Sequence, residues 1–287
     1  MAVDYRAPNI NARRLGRHFR QIREALRLSY DEAAEVVGCE VTWLIRLETG
    51  FEQVTPEQVR LTLDRYEVPQ HRIRTVLLDL ATRQAGPPWL AGHAGRIKAL
   101  VRDLLTLESE SPVIHTYGIL VLPELVRTEA YARMCLEYQV PGVDVDREWD
   151  LLDNRQRHRP GGRQRVLDVI VDETAITRPA PRPVVMRDQL GHLIALSEDA
   201  RATVRVIPMS VGAHAGLEGA FDVMEFPHLD DRVSMVHGAL GIDLAYGDLT
   251  GTWRLLEKVA LPPPASRAMI REAMEGLEGL PGTSADA

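Results

Sequence analysis

The sequence contains very little lysine and very little cysteine. Lys98 and Lys258 are its only lysines, so almost all of its 34 basic residues are arginines. This bias is typical of a GC-rich genome and indicates no particular function. The two cysteines, Cys39 and Cys135, lie far apart and have no partners at metal-ligand spacing. We therefore expect neither a disulfide framework nor a zinc site.

Long apolar runs and catalytic signatures are also missing. No stretch approaches the roughly 20 apolar residues that a membrane-spanning helix needs, and residues 1–14 lack the apolar core of a signal peptide. We therefore expect a cytoplasmic protein with no membrane partner. The chain has no G-x-S-x-G, G-x-G-x-x-G, phosphate-loop or H-E-x-x-H pattern. We expect no metal, no cofactor and no standard catalytic residues.

The first third of the chain has the spacing of a helix-turn-helix. Residues 13–27 predict an amphipathic helix with an arginine-rich outer face. Ser29 with Glu32 predicts a capping box that begins a second helix, and Gly38 is suited to the tight turn after it. A third helix is expected over residues 41–49. Two further helices, which begin near Pro56 and in the seventies, complete a compact all-helical domain.

The rest of the chain mixes strand and helix patterns. Mostly apolar runs rich in β-branched residues predict strands at 113–122, 166–171, 203–207, 221–226 and 233–237. Helices are expected at 97–105, 128–138, 145–159, 183–197, 249–260 and 265–277. This alternation predicts an α/β or α+β domain with one mixed sheet of about four to six strands.

A chain of 287 residues with 45% hydrophobic content is expected to form two domains. A Gly- and Pro-rich segment separates the helical part from the mixed part. The expected organisation is a five-helix helix-turn-helix domain at 1–84, a linker at 85–95, an α/β ligand- or partner-binding domain at 96–278 and a disordered tail at 279–287.

Residues 29–50 resemble the Xre or Cro/cI-type helix-turn-helix family. The residues that keep their places in its pattern are Ser29, Glu32, Ala34, Gly38, Arg46, Glu48 and Gly50. The resemblance implies a DNA-binding regulator that reads palindromic sites as a homodimer. The DNA contacts that it implies are Thr42, Ile45 and Arg46 at bases, with Arg17 and Arg20 at phosphates. Ile45 offers only an apolar contact to a thymine methyl group.

The reading surface of this helix-turn-helix departs from the family pattern. Glu40 stands where a small hydroxyl residue usually caps the third helix, and Ile45 stands where a serine is usual. Val41 and Trp43 replace commonly polar residues on the same surface. These departures lower the expected affinity for DNA.

Charge in the helix-turn-helix is divided unevenly. Residues 29–50 hold five acids and one arginine, a net charge of −4, whereas residues 4–27 hold seven arginines and two acids, a net charge of +5. DNA affinity depends mainly on neutralising phosphates. Two interpretations stay open: a DNA reader, or a helix-turn-helix kept as a folding or protein-docking unit. The net charge of the whole chain is −7, and the acidic second half is not expected to touch nucleic acid.

The second half resembles the domains of unknown function that follow an Xre-type helix-turn-helix in actinomycete regulators, including WhiJ-like proteins. The matching stretches are 120–133, 154–159, 169–176, 185–196 and 204–226. Two short stretches depart from the family pattern. Its usual Pro-Gly-Leu-Leu-Gln-Thr is Pro-Glu-Leu-Val-Arg-Thr at 123–128, and its usual Tyr-Val-Glu is Met-Val-His at 235–237. If these positions line a ligand or partner surface, this chain has changed its specificity.

Several side chains at predicted strand ends are candidates for binding a ligand. We group five of them in a hypothetical acid/base pocket, because histidine titrates near neutral pH and strand ends commonly bind ligands. They are His115, Tyr117, Glu173, His214 and His237.

Simpler roles compete with this grouping. His214 would then be a surface turn residue, and the Asp172–Glu173 pair would cap the helix that begins at Thr174. Residues 155–157 could bind an anion or form a solvated helix face.

Three functional hypotheses follow. The first is a transcriptional regulator whose second domain binds a small-molecule effector or a small partner protein, which the resemblance places in development or specialised metabolism. The second is a helix-turn-helix protein that has lost DNA binding and binds a metabolite or acts as an enzyme in natural-product biosynthesis. The third is a protein-docking module.

Overall fold

The computed structural model describes residues 10–69, 71–83, 87–93, 97–139, 142–158, 166–178, 180–199, 202–226, 231–238, 241–244 and 248–277. The predicted tail, 279–287, lies outside the described residues. The chain divides into two compact units, with the boundary between Leu107 and Glu108. No helix among the described residues is long and apolar enough to cross a membrane.

The N-terminal unit is helical throughout its described part. Its elements are α1 Ile10–Ala25, α2 Tyr30–Val37, α3 Val41–Thr49, α4 Pro56–Arg65, α5 His71–Thr82, a 3-10 helix Pro88–His93 and the first turns of α6 Ala99–Glu110. The 3-10 helix lies within the segment expected to be a linker, and Leu90 in it is buried.

The helix boundaries follow local chemistry. Ser29 accepts from the backbone N–H of Glu32 and the Glu32 carboxylate accepts from the backbone N–H of Ser29, which confirms the predicted capping box. Gly38 ends α2 with φ 72°, in the left-handed region that favours glycine. Thr55 and Gln58 form a second capping box at the start of α4, one residue before Pro56.

The core of this unit lies where α1 crosses α3. Phe19, Leu44, Leu63 and Leu77 are fully buried in it. A Cβ atom at Gly16 would lie 2.4 Å from the carbonyl oxygen of Leu47. The two helices therefore approach backbone to backbone, which only a glycine at this position allows.

The C-terminal unit is a mixed sheet with helices. Its strands are β1 Val113–Gly118, β2 Val166–Asp172, β3 Thr203–Ile207, β4 Ala220–Phe226, β5 Asp231–Gly238 and β6 Gly241–Leu244. Its helices after α6 are α7 Glu129–Gln139, α8 Val145–Arg157, α9 Glu173–Thr177, α10 Pro183–Glu198, α11 Thr250–Val259 and α12 Pro263–Glu275, with 3-10 turns at Glu124–Val126 and Met209–Val211. This architecture confirms the predicted fold class.

The strand order is β3-β2-β1-β4-β5-β6. β1 pairs with β2, and β2 with β3, in parallel, whereas β4, β5 and β6 continue the sheet in antiparallel fashion. The carboxyl ends of β1, β2, β3 and β5 therefore meet at one edge, where β4 begins. We call this the carboxyl edge.

The two faces of the sheet carry different side chains because neighbours along a strand alternate. Tyr117 shares one face with its partners Ile170 and Phe221, and Trp253 and Leu256 of α11 pack against that face. Thr116, Asp222 and Met235 are aligned on the opposite face. We call them the α11 face and the far face.

Candidate functional site

One face of α3 is exposed and the other is built into the core. Thr42, Ile45, Arg46 and Thr49 are exposed at the i, i+3, i+4, i+7 spacing of a single helix face, while Leu44, Leu47 and Glu48 are buried. The predicted base-contacting residues, Thr42, Ile45 and Arg46, therefore share one exposed surface. Ile45 has 40% of its surface exposed although it is apolar.

Carboxylates compete for the polar groups of this surface. The Arg46 guanidinium lies 3.0 Å from the Glu52 carboxylate. Glu40 precedes α3 but its side chain makes no capping hydrogen bond, and it accepts instead from the Thr42 hydroxyl. The only arginine of α3 is thus already paired in the free protein, and a negative charge lies at the start of the helix.

The predicted phosphate contacts, Arg17 and Arg20, are both exposed on α1. Arg20 pairs with Glu24 one turn later, at 2.8 Å. The expected arginine-rich outer face is smaller than the sequence indicated, because Arg14 and Arg23 are buried on the inner side of α1. That part of the prediction is wrong.

Arg23 is held inside the core by Glu48. Its Nε and Nη2 donate to the two oxygens of Glu48 at 2.7 and 2.9 Å, and Nη1 donates to the carbonyl of Leu28. These hydrogen bonds raise the pKa of Arg23. Glu48 is therefore a structural residue of the motif. It does not contribute to the acidity of the reading surface, which is less negative than the residue count predicts.

Val41 and Trp43 do not stand free on the reading surface. Both are partly buried and pack against the core of the N-terminal unit. Their apolar character has a packing role that the sequence pattern did not reveal, and the prediction that they replace polar reading residues is corrected.

The five candidate ligand-binding residues do not converge on one pocket. Tyr117, Glu173 and His214 lie at the carboxyl edge, and Tyr117 and His214 are on the side of the α11 face. His115 points to the same face from the middle of β1, and its ring centroid lies 4.7 Å from that of Trp253. His237 lies at the same edge but on the far face, because it is aligned with Ala220 and bonded to Asp222.

His214 is a buried hydrogen-bonded residue, neither a surface turn residue nor a free base. Its Nε2 lies 3.1 Å from Asp172 Oδ2, and its Nδ1 accepts from the backbone N–H of Gly216. Both ring nitrogens are therefore occupied, and the accepted bond at Nδ1 places the proton of the neutral ring on Nε2. The imidazole holds the 212–219 loop against β2.

Asp172 extends this contact across the carboxyl edge. Its Oδ1 accepts from the backbone N–H of Thr174, which confirms the predicted capping role. The Thr174 hydroxyl in turn bonds the carbonyl oxygen of Ile119, in the turn after β1. Glu173 accepts from the backbone N–H of Met209 at 2.7 Å. A continuous chain of hydrogen bonds thus links three loops at this edge.

On the far face, His237 forms an ion pair with Asp222. Its Nε2 lies 2.8 Å from Asp222 Oδ2. Burial by itself lowers the pKa of His237, but the Asp222 carboxylate outweighs it, assisted by Glu124, and the pKa is raised. The Asp222 carboxylate therefore favours the imidazolium form of His237 more than water does.

Arg155 completes this far-face network. It donates to both oxygens of Glu108, at 3.0 and 2.8 Å, and to Glu124. Burial by itself raises the pKa of Glu124, but Arg155 and Arg127 outweigh it and lower the pKa to about 2. Arg155 is therefore neither an anion site nor part of a solvated face, and Gln156 beside it donates to two backbone carbonyls.

Sequence patterns missed this network as a unit. The two departures from the family pattern described above contribute Glu124 and Arg127 from one stretch and His237 from the other. These residues lie within one electrostatic cluster. The signal was present as two unusual motifs, but nothing in the sequence showed that they are neighbours.

Comparisons with known proteins find two matching regions in the chain, one in its first third and one in the remainder. Residues 14–76 match the family described as a helix-turn-helix domain, and residues 101–272 match the family described as a domain of unknown function, DUF5753. No curated protein and no solved structure matches the chain. The longer match covers more than half of the 287 residues and includes β1 to β6. The chain therefore belongs to the DUF5753 family of domains of unknown function, with a helix-turn-helix domain ahead of that domain.

Proposed function

We propose that this protein is a DNA-binding transcriptional regulator whose DUF5753 domain binds a small-molecule effector or a small partner protein. The observation that carries the proposal is the exposed face of α3, where Thr42, Ile45 and Arg46 stand together on a well-packed helix-turn-helix. The family match at residues 14–76 supports the same function.

In this proposal α3 enters the major groove and α1 contacts the backbone. Thr42, Ile45 and Arg46 contact bases, and Arg17 and Arg20 contact phosphates. An Xre-type arrangement would place two copies on half-sites about 34 Å apart, so the active form is a homodimer. The acidic neighbours Glu40 and Glu52 make the affinity modest. We place the regulated process in development or specialised metabolism, from the resemblance alone.

For the second domain, the carboxyl edge is the proposed ligand-binding end. Tyr117, Glu173 and His214 lie there, and ligands commonly bind outside the carboxyl ends of parallel strands. These residues would act by shaping the loops, because His214 has no free ring nitrogen.

The test is binding of the purified full-length protein to DNA from upstream of its own gene, measured by fluorescence anisotropy between about 50 and 200 mM salt. We expect sequence preference and an affinity that falls steeply with salt. Arg46→Ala and Thr42→Ala should each weaken specific binding about 5- to 100-fold, which corresponds to 1–3 kcal/mol per good base contact.

Arg60→Ala is the matched control, because Arg60 is an exposed arginine on α4 that pairs with Glu57. It should change binding little. Absence of binding even at low salt would overturn DNA recognition. Specific binding that neither the Arg46 nor the Thr42 substitution weakens would overturn the assignment of these residues.

One observation favours a second function, protein docking. A groove of about 360 Å³ lies beside the turn between α2 and α3, with Trp43 and Cys39 in its wall and the half-exposed Leu61 at its edge. If DNA binding is absent, Leu61→Ser should weaken capture of a partner protein by the isolated chain and leave its stability unchanged. A lower Tm of the same variant would argue for a fold defect instead.

A further inference from the structure

An apolar pocket opens beside the carboxyl edge of the sheet, within the C-terminal unit. It is lined by the turn after β1, by one side of α7, by α9 and by the start of α10. Leu120, Tyr131, Met134 and Met186 form its walls. None of the candidate ligand-binding residues lies in this lining.

The size of the pocket suits one ring or one short branched chain. Its volume is about 110 Å³. A protein cavity of about 150 Å³ with aliphatic and aromatic walls stays dry and binds benzene, so this space accepts a similar apolar group. The mouth is open, and Leu120 and Tyr138 at the mouth are 51% and 62% exposed.

The charge at the mouth is positive. Arg178 is the only charged residue in the lining, and none of the ion pairs seen among the described residues involves it. An exposed guanidinium beside an apolar pocket complements a carboxylate attached to an apolar body.

The walls are held by the hydrogen-bond chain of the carboxyl edge. The Thr174 hydroxyl bonds Ile119, next to Leu120, and Asp172 connects Thr174 to His214 and its loop. A Cβ atom at Gly118 would lie 2.6 Å from the carbonyl oxygen of Val121, so this turn is compact. Binding of a ligand in the pocket would therefore affect the conformation of three loops.

We infer that this pocket binds a small monocarboxylate with an aromatic or branched aliphatic body, its apolar group between Met134 and Met186 and its carboxylate at Arg178. The regulatory meaning of this site rests on the proposed function, in which the second domain senses an effector. Binding itself does not depend on DNA and is measured without it.

The test uses the full-length protein and three probes of one shape: phenylacetate, phenylacetamide and phenethylammonium. Affinities come from ligand-observed NMR titration, with thermal shift as a second readout, since a ligand that binds the folded state raises Tm. We expect phenylacetate to bind about tenfold more tightly than the amide, because a charge-assisted bond replaces a neutral one, and the cation to bind most weakly.

Two substitutions separate the apolar and charged parts of the site. Ala180→Leu fills the pocket and should weaken all three probes at least about tenfold, the loss expected when an apolar group is excluded. Arg178→Gln should make phenylacetate and phenylacetamide bind equally. Arg187→Gln, an exposed arginine on α10 outside the lining, is the matched control and should preserve the preference. If Ala180→Leu fails to fold by circular dichroism, Met186→Phe serves as the filling variant.

Three results would overturn the inference. The first is that no probe binds up to about 5 mM, a concentration at which binding of a ligand of this size should be detected. The second is that the filling variant does not weaken binding. The third is that Arg178→Gln still binds phenylacetate more tightly than phenylacetamide. The first would point to a protein side chain as the occupant. None of them bears on DNA binding, whose failure is read in the separate anisotropy experiment.

Discussion

Each unit of this protein contains a buried arginine that forms a bidentate pair with a buried glutamate, but the two arginines have different surroundings. Arg23 pairs with one carboxylate, that of Glu48, through two parallel hydrogen bonds, and its guanidinium lies 4.0 Å from the ring centroid of Tyr30. Arg155 meets Glu108 in the same bidentate geometry and also binds Glu124. The first pair is balanced, whereas the second is part of a larger network of charges.

The difference shows how buried charge is tolerated in two ways. In the helix-turn-helix, one acid and one base neutralise each other between α1 and α3, and the pair locks these helices together. In the DUF5753 domain, the extra carboxylates of Glu124 and Asp222 require further positive groups, which Arg127 and His237 supply. The second arrangement is therefore more sensitive to pH and to single substitutions.

The largest expected effect comes from Arg155→Met. This change leaves Glu108 and Glu124 without their shared cation, and breaking a buried pair costs about 3–5 kcal/mol. We expect a loss near the upper end, read by native-state hydrogen exchange on peptides from residues 108–157. The neighbouring exposed Arg157→Met should change stability by less than about 0.5 kcal/mol. Equal effects of the two substitutions would refute the buried network.

A slightly smaller effect is expected from Arg23→Met, which leaves only Glu48 unpaired. The N-terminal unit should lose about 3 kcal/mol of unfolding free energy. The double variant Arg23→Met with Glu48→Leu should recover most of that loss, because apolar replacement of both partners of a buried pair is often neutral. Hydrogen exchange on peptides from α1 and α3 measures both. Failure of the double variant to recover would show that the pair has a role beyond charge balance.

A smaller expected effect is a pH dependence of stability that differs between the two units. The raised pKa of His237 means that its contribution to stability is complete below its unfolded value near 6.5 and is lost as pH rises through the folded value. The C-terminal unit should therefore lose stability as pH rises above about 6.5, by no more than about 1.4 kcal/mol per pH unit. The lowered pKa of Glu124 acts in the opposite direction, and its contribution is lost as pH falls from about 4.5 toward 2.

Native-state hydrogen exchange at several pH values, on the wild type and on His237→Gln, measures how stability depends on pH. Above about pH 6.5 the stability of the variant should depend less on pH than that of the wild type, and the substitution should not change the stability of the N-terminal unit. A wild-type profile identical to that of His237→Gln would remove His237 from the network.

The smallest effect concerns an exposed pair of the helix-turn-helix. Glu52→Gln releases Arg46 from its carboxylate at 3.0 Å, and an exposed pair contributes about 0.2–1 kcal/mol. If the protein reads DNA, this variant should bind its site about two- to fivefold more tightly at low salt. Glu57→Gln, which removes an exposed acid on α4, should matter less. An unchanged affinity of Glu52→Gln for DNA would mean that the ion pair with Glu52 does not limit the contribution of Arg46 to DNA binding.

Local patterns predicted most of the elements of this fold. The capping box at Ser29, the glycine turn at Gly38 and strand β3 lie where the sequence placed them, because each depends on neighbouring residues. The short strand β6 was not predicted, since its pairing with β5 is what makes it a strand. The inward turn of Arg14 and Arg23 was also missed, because arginine is a typical surface residue.

The candidate sites were predicted less well than the elements. Helical spacing predicts the exposure that is seen at the candidate DNA contacts Arg17, Arg20, Thr42, Ile45 and Arg46, and their assignment as DNA contacts stays a prediction. The proposed grouping of His115, Tyr117, Glu173, His214 and His237 required knowledge of strand order and of the faces of the sheet, which no local pattern supplies. Strand order places His237 beside Asp222 and away from His214.

The sequence by itself determined the helix-turn-helix, the mixed second domain and the unusual residues at 40, 124, 127 and 237. Spacing and capping act over a few residues, so they can be read directly from the order of amino acids. Only the tertiary structure decided that Glu48 neutralises Arg23, that His214 is a buried support, and that Glu124 and His237 belong to one network. The reason is physical, because burial and pairing depend on groups that the fold brings together from distant positions in the sequence. Burial and pairing in turn decide whether a charged group is available to bind another molecule.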